Sequence, residues 1–345
     1  MKKIDFVFQE SPEAGELYRI TEGVYWFPMP LPMMGPDYVN CYILDDGQEI
    51  ALVDTGANIG DCKNIWENTL KKNFANKKIS SVYVTHHHPD HIGLAGWLCE
   101  KYNTEMICSR TAYLMAKMLS LDVHEKVNAS TELFWKQAGM SQQMLEEKLR
   151  ARPFNFGDGV SPLDNGFIRI IENEIITING VDWTVSMGNG HAPEHATFWS
   201  KELNMVLAGD QVLPGISSNL GVYPTEPNAD TVGDWIDSCK KFLELASDEH
   251  VVLPGHGKPF SGLPRRLVQL IENHEAALKR IKEALEAEPK TAVELFKTIF
   301  KRDINNREYM LALHEAVGHV NHLYKTGLVN RRISHDGAFI FELIR

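Results

Sequence analysis

A chain of 345 residues with 43% hydrophobic and 23% charged residues can bury a large core, and its length suggests one big domain and a smaller one. The net charge of −11 argues against general affinity for a polyanion, and five cysteines without CxxC spacing argue against a disulfide framework or a thiolate zinc knot. No apolar run approaches the roughly 18 residues of a membrane span, and Met1–Glu10 lacks the apolar stretch of a signal peptide, so the expectation is a cytoplasmic protein without a membrane partner.

The chain opens as short strands, Leu17–Ile20, Val24–Phe27, Asn40–Leu44 and Glu49–Asp54, with a hairpin turn expected at Asp45-Asp46-Gly47. Asn58–Phe74 reads as helix, Ile79–Thr85 as a strand running into a histidine cluster, Ile92–Tyr102 as helix and Glu105–Cys108 as strand. Residues from about 110 to 150 carry helical spacing. This block interrupts a strand series and reads as an insertion, placed at about 110–165 within a first domain of residues 1–263. Strands resume at Glu174–Ile178, Asp182–Met187, Ala196–Trp199 and Met205–Leu207, followed by a helix at 230–245 and a strand from Val251 into a loop. A long amphipathic helix, Pro264–Glu288, opens a second region of residues 264–345: helices at Thr291–Ile299 and Asn306–Lys325, then strands at Leu328–Ile333 and Ala338–Leu343. That order is a winged-helix outline. Its net charge of +3 stands on a remainder of −14.

The residues that carry chemistry begin at His86-His87-His88-Pro89-Asp90-His91, an H-x-H-x-D-H pattern at the end of a strand. Alternate residues of an extended segment point the same way, so His86 and His88 can grip one ion, while Asp90 and His91 past the turn can face another. Imidazole suits zinc, and carboxylate suits zinc, iron or manganese. Three later residues, each beside glycine at a strand-to-loop boundary, are placed to complete such a site: His191 in Gly190-His191-Ala192-Pro193, Asp210 in Gly209-Asp210, and His256 in Gly255-His256-Gly257.

Together, and in this order, these residues resemble the metallo-β-lactamase superfamily, and the resemblance extends to Asp54-Thr55-Gly56. It implies an α/β fold, a four-layer αββα sandwich with a small winged-helix domain, and two divalent metal ions, zinc expected with iron or manganese as alternatives. By motif, His86, His88 and His191 would hold one metal, Asp90, His91 and His256 the other, with Asp210 bridging. True zinc β-lactamases typically carry Cys or Ser at the bridging position, so Asp210 points instead toward thioesterases resembling hydroxyacylglutathione hydrolase, lactonases, and phosphodiesterases or nucleases. The implied mechanism is metal-assisted hydrolysis by a metal-bridging hydroxide, with Asp90 as the catalytic group that orients water and passes its proton on. Asp54 reads either as a partner of a ligating histidine or as a turn cap.

Other residues have plainer readings. His87 should face away from its neighbours, His195 is expected not to ligate, and His314, His319 and His322 do not share one face of their helix. Met and aromatic positions of the insertion are expected in the core or as a lid. Ser218, Asn219 and Tyr223, just after Asp210, are candidate substrate contacts. Lys325, Arg331 and Arg332 offer phosphate contacts, weighed against a solvated face with its helix packed on the main domain or on a second copy in a homodimer. The expected function is hydrolysis of a small-molecule thioester, ester or lactone. The alternative is an endoribonuclease or other phosphodiesterase, which the acidic body and the few Lys or Arg near the motifs disfavour.

Overall fold

The computed structural model describes residues 1–32, 36–45, 47–164, 166–178 and 180–344. Asp46, part of the expected hairpin turn, lies outside the described residues, and none of the described helices is long and apolar enough to cross a membrane. The chain forms two compact units, neither continuous in sequence. The first comprises Met1–Val123, Asn155–Ser218 and Leu243–Leu267, and the second His124–Phe154, Asn219–Phe242 and Val268–Arg345.

The first unit is built on two seven-stranded sheets. One contains β1 (Asp5–Phe6), β9 (Ile175–Ile178), β10 (Val181–Gly188), β11 (His195–Ser200), β12 (Met205–Gly209), β13 (Val251–Pro254) and β14 (Phe260–Ser261) in the order β1-β14-β13-β12-β11-β10-β9. The other runs in order through β2 (Tyr18–Thr21), β3 (Val24–Pro30), β4 (Tyr38–Asp45), β5 (Glu49–Val53), β6 (Lys78–Tyr83), β7 (Glu105–Cys108) and β8 (Ile168–Arg169). The two-residue strands β1, β8 and β14 are absent from the sequence reading, because so short a segment carries no periodicity. Trp26, Tyr42 and Val53 of one sheet share a buried core with Trp183, Val185 and Phe198 of the other, so the sheets pack face to face. Helices α1 (Cys62–Phe74), α3 (Ala95–Tyr102) and α4 (Arg110–Leu121) cover the opposite face of the second sheet through Trp66, Leu70, Leu98 and Ala112. Burial on both faces explains why β4 and β5 are mostly apolar and continuously buried rather than alternating, with Asn40 the polar residue within β4. The expected mixed α/β architecture with two sheets and flanking helices is therefore present.

The expected helix at Ile92–Tyr102 is two. The short α2 (Pro89–Ile92) begins on Pro89, whose missing N–H is harmless at that position, and Gly93 and Leu94 separate it from α3. Gly93 has no room for a side chain: a Cβ there would meet Ala57 and the Gly159 carbonyl at 2.7 Å.

The second unit contains α5 (Ala129–Gln137) and α6 (Gln142–Arg150), most of α7 (Thr231–Leu245) and α8 (Leu263–Ala287), then α9 (Phe296–Phe300), α10 (Tyr309–Lys325) and the hairpin β15 (Val329–Ile333) and β16 (Phe339–Leu343). Asn128 and Ser141 cap α5 and α6, their side chains accepting from the backbone N–H groups of Thr131 and Met144. The end of α5 is held within this unit, where the Ala138 carbonyl accepts from Val293 N–H at 3.1 Å. Leu295, Leu313, Val320, Val329 and Phe341 are buried with it.

Candidate metal centre

Five turns at strand ends of the first unit deliver the site. Asp54 follows β5, His86 and His88 follow β6, His191 follows β10, Asp210 follows β12 and His256 follows β13. Loops at the ends of a rigid sheet hold side chains in place, which is where fixed ligand geometry is wanted.

Asp54 anchors the arrangement. It adopts a left-handed backbone (φ 59°), a conformation Asp tolerates better than most side chains. Its carboxylate accepts from Thr85 N–H and Thr85 Oγ1, both at 2.8 Å, and from His91 Nδ1 at 2.7 Å. The Thr85 hydroxyl, having donated to Asp54, accepts from His86 Nδ1 at 3.0 Å. His256 Nδ1 donates to the Tyr38 carbonyl at 2.9 Å. One nitrogen of each of these three rings is thus committed to an outer partner, leaving Nε2 as the free donor atom. Of the two readings for Asp54, the partner of a histidine is the one that the structure supports.

The inward-facing ligand atoms converge. His86 Nε2 lies 3.0 Å from His88 Nδ1. His91 Nε2 is 3.3 Å from Asp210 Oδ1, and His191 Nε2 and His256 Nε2 are each 3.4 Å from Asp210 Oδ2. Asp90 Oδ2 is 3.2 Å from His256 Nε2 and 3.8 Å from His91 Nε2. Three groupings have donor atoms mutually within 4.8 Å: His86, His88 and His191; His86, His91 and Asp210; and Asp90, His91 and His256. Ligands about 2.0–2.1 Å from a tetrahedral zinc stand about 3.3–3.4 Å from each other, so this spacing is that of ligand atoms around cations. Among the described residues, the buried His91 Nε2 and Asp210 Oδ1 have no hydrogen-bond partner, an arrangement that a bound cation would resolve. All seven residues expected as ligands are therefore together, and their donor atoms fit divalent metal cations.

The electrostatics agree. Burial, reinforced by the imidazoles of His91 and His195, holds His86 well below the usual imidazole range. Burial would raise Asp210, but His256 and His91 outweigh it and hold this carboxyl well below its usual range. Burial likewise opposes charge on His256, yet Asp210 and Asp90 push its pKa up to about 10 without a cation. The same carboxylates together with Asp54 raise His91. The carboxylates around His91 and His256 thus favour positive charge on that side of the site, as a cation-binding pocket does.

Several residues support the site without a signal legible in sequence. Asn40 donates to the carbonyls of Pro254 at 2.8 Å and Gly257 at 2.7 Å, and the Tyr42 hydroxyl donates to Pro254 at 2.7 Å. They tie β4 of one sheet to the loop carrying His256 in the other. Gly255 lets Asp210 approach, since a Cβ there would overlap the carboxylate and come within 2.8 Å of His91 Cε1.

The remaining sequence candidates are in none of the three groupings. His195 belongs to none of the three groupings; its ring stacks on His86 with centroids 4.5 Å apart, and its Nε2 accepts from Asp210 N–H at 3.1 Å. His87 is buried and stacks on Phe156. Ser218 is buried, and its hydroxyl donates to the Asp210 carbonyl. Asn219 and Tyr223 belong to the second unit, where the Asn219 amide donates to Leu311 O and Glu315, and Tyr223 packs its ring on His314. In the same unit His322 contacts Asp230 at 2.9 Å.

Cations clustered with carboxylates at the open ends of strands serve to activate water, and the class of protein that fold and site define is a metal-dependent hydrolase. The chain belongs to the metallo-beta-lactamase superfamily, which residues 34–256 match; residues 278–344 match the metallo-beta-lactamase-like C-terminal domain. It is similar to a beta-lactamase domain protein from Burkholderia ambifaria (29% identity, TM-score 0.89, 99% of this chain and 98% of that one). A metallo-beta-lactamase family protein from Thermus thermophilus follows at 25% identity and TM-score 0.76, covering 94% of this chain and 100% of that one. In sequence, the chain is 24% identical to the probable metallo-hydrolase YqjP of Bacillus subtilis over 87% of its own length and 92% of the relative's. It is 23% identical to the atrochrysone carboxyl ACP thioesterase of Emericella nidulans over 66% of its length and 54% of that protein's.

Proposed function

We propose that this chain hydrolyses a small-molecule thioester, ester or lactone with two divalent cations, zinc foremost, held by His86, His88 and His191 on one side and Asp90, His91 and His256 on the other, Asp210 between them. The observation that carries this reading is the placement of Asp210. Its two carboxylate oxygens face ligands of both groups, Oδ1 toward His91 and Oδ2 toward His191 and His256. A carboxylate in that position differs from the Cys or Ser typical of zinc β-lactamases. The likeness to a thioesterase supports the same substrate class.

When bound, divalent cations supply Lewis acidity, lowering the pKa of water and polarising a carbonyl. The chain's own residues do the rest. The Asp90 side chain is 21% exposed, against 8% for Asp210 and 0% for His91, so it is the carboxylate of the site that solvent reaches most. Burial opposes its charge, but His91 and His256 hold its pKa below the usual carboxyl range. Ionised at neutral pH, it can orient water through the oxygen not turned to His256, accept its proton, and return that proton to the leaving group. Asp54, Thr85 and the Tyr38 carbonyl keep His91, His86 and His256 in the tautomer that offers Nε2.

We read the C-terminal helices and hairpin as a winged helix that packs rather than binds nucleic acid. Arg331 lies over the rings of Tyr324 and Phe339 and contacts Asn228, and Arg332 faces Glu342 at 3.9 Å. These cations are engaged within their own unit. The test is a panel of zinc- or manganese-loaded protein against a thioester, a lactone, bis-p-nitrophenyl phosphate and single-stranded RNA. Turnover of thioester or lactone with inert RNA is expected; rapid RNA or phosphodiester cleavage with inert thioester and lactone overturns the proposal.

A further inference from the structure

The second unit carries a histidine grouping that hydrolysis does not use. His274 on α8 and His319 on α10 are each 1% exposed, and His274 Nδ1 lies 3.3 Å from His319 Nε2. Glu315 precedes His319 by one helical turn, so both side chains occupy the same face of α10. One donor atom from each of His274, Glu315 and His319 lies within 4.8 Å of the other two. His319 Nδ1 donates to the Glu315 carbonyl at 2.9 Å, which leaves Nε2 with its lone pair toward His274. The Asn219 amide, 2.9 Å away, holds the Glu315 carboxylate. Trp235 packs on the His274 ring with centroids 6.4 Å apart, and its buried indole N–H has no hydrogen-bond partner among the described residues.

We propose that His274, Glu315 and His319 form a second, mononuclear site for a divalent transition-metal cation, with zinc as the ligand of first choice. Two imidazoles and a carboxylate are a donor set that zinc accepts, and three protein ligands leave a fourth position for water. The half-buried Glu315 carboxyl facing two buried imidazoles is an arrangement that a dication would satisfy. The outer contacts match those of the first centre, where a backbone carbonyl also sets which histidine nitrogen is free. Because the ligands come from two helices far apart in sequence, the cation would tie α8 to α10 and stabilise the unit rather than serve catalysis. In sequence the three histidines of α10 stand at spacings that exclude a shared face. The missing ligand is on a different helix.

The deciding experiment is a crystal of the full chain, stripped with chelator, reloaded with Zn2+ and measured at the zinc absorption edge. Anomalous density between His274 and His319, with Glu315 as third ligand, is the expected result. A crystal with zinc at the first centre and only a His274–His319 hydrogen bond at the second overturns the proposal and leaves the hydrolytic reading intact. In solution, Glu315→Gln keeps side-chain size and an acceptor for Asn219. It should bind one zinc equivalent fewer than wild type, lose the part of the zinc-induced rise in Tm that this site supplies, and hydrolyse substrate at the wild-type rate. Equal zinc content in the folded variant counts against the site; should the variant not fold, the anomalous map decides.

Discussion

The two histidine clusters of this chain are built on opposite principles. In the first unit the donors follow the ends of β6, β10, β12 and β13, on turns and on the four-residue α2 that carries Asp90 and His91, and Asp54 and Thr85 set which nitrogens of His91 and His86 face the centre. In the second unit the donors sit inside helices, His274 on α8 and Glu315 and His319 on α10. Strand-end loops leave one side of a cluster open, and the Asp90 side chain keeps 21% of its exposure there. The helix-borne pair His274 and His319 is closed to solvent at 1% exposure each. A cluster with several carboxylates suits chemistry on a substrate, whereas one with a single carboxylate and two buried imidazoles suits a structural role.

The most severe way to break the comparison is Asp210→Ala. It should leave the fold intact and lower hydrolysis by about 10²-fold or more, as removal of a direct metal ligand does. Near-native turnover at full metal content would refute the bridging role. Gly255→Ala is expected to come next, because it removes no ligand yet drives a methyl group into Asp210 and His91. Zinc content and turnover should fall together, and a variant that keeps both would show that the loop yields easily. Asp54→Asn should weaken zinc binding by about 10- to 100-fold, since the amide is a poorer acceptor for His91 Nδ1. A competition titration against a chelator would measure it.

Smaller, and sharper, is the effect of pH. Without a cation, His91 and His256 carry raised pKa values, the latter about 10, so both are protonated at pH 7 and zinc must displace their protons. Zinc loading in weak buffer at pH 7 should release protons, and zinc affinity should rise with pH. The stabilisation that charged His256 gives the zinc-free fold is complete below pH 6.5 and is lost as pH climbs through about 10, and the raised His91 acts in the same direction. Loading without proton release would show that these histidines are neutral in the free protein.

Legibility in the sequence followed the same divide. His86, His88, Asp90 and His91 were readable because alternation along a strand and the following turn place them by local geometry alone. His191, Asp210 and His256 stood out only through flanking glycines and their order. Asn40, Tyr42, Thr85 and Tyr38 carried no signal, because each acts through a hydrogen bond to a residue whose position depends on the fold, such as Asn40 to Pro254 and Gly257. His274 carries no local signal for a related reason, since its partners lie 41 and 45 positions away on another helix. The helical block after residue 110 was visible as helix, with Asn128 and Ser141 as caps, but nothing local indicated that α5 and α6 pack in the second unit.

By itself the sequence determined the element types, the family, and a ligand set rich enough to hold cations, since these depend on periodicity, turn chemistry and residue type within short windows. Only the tertiary structure decided which atoms meet. It set which nitrogen of His86, His91 and His256 faces the centre, the two-sided contact of Asp210, the close approach over Gly255 and the pairing of α8 with α10. The reason is physical: such contacts are made across sheets and between helices, where distance in space has no fixed relation to distance along the chain.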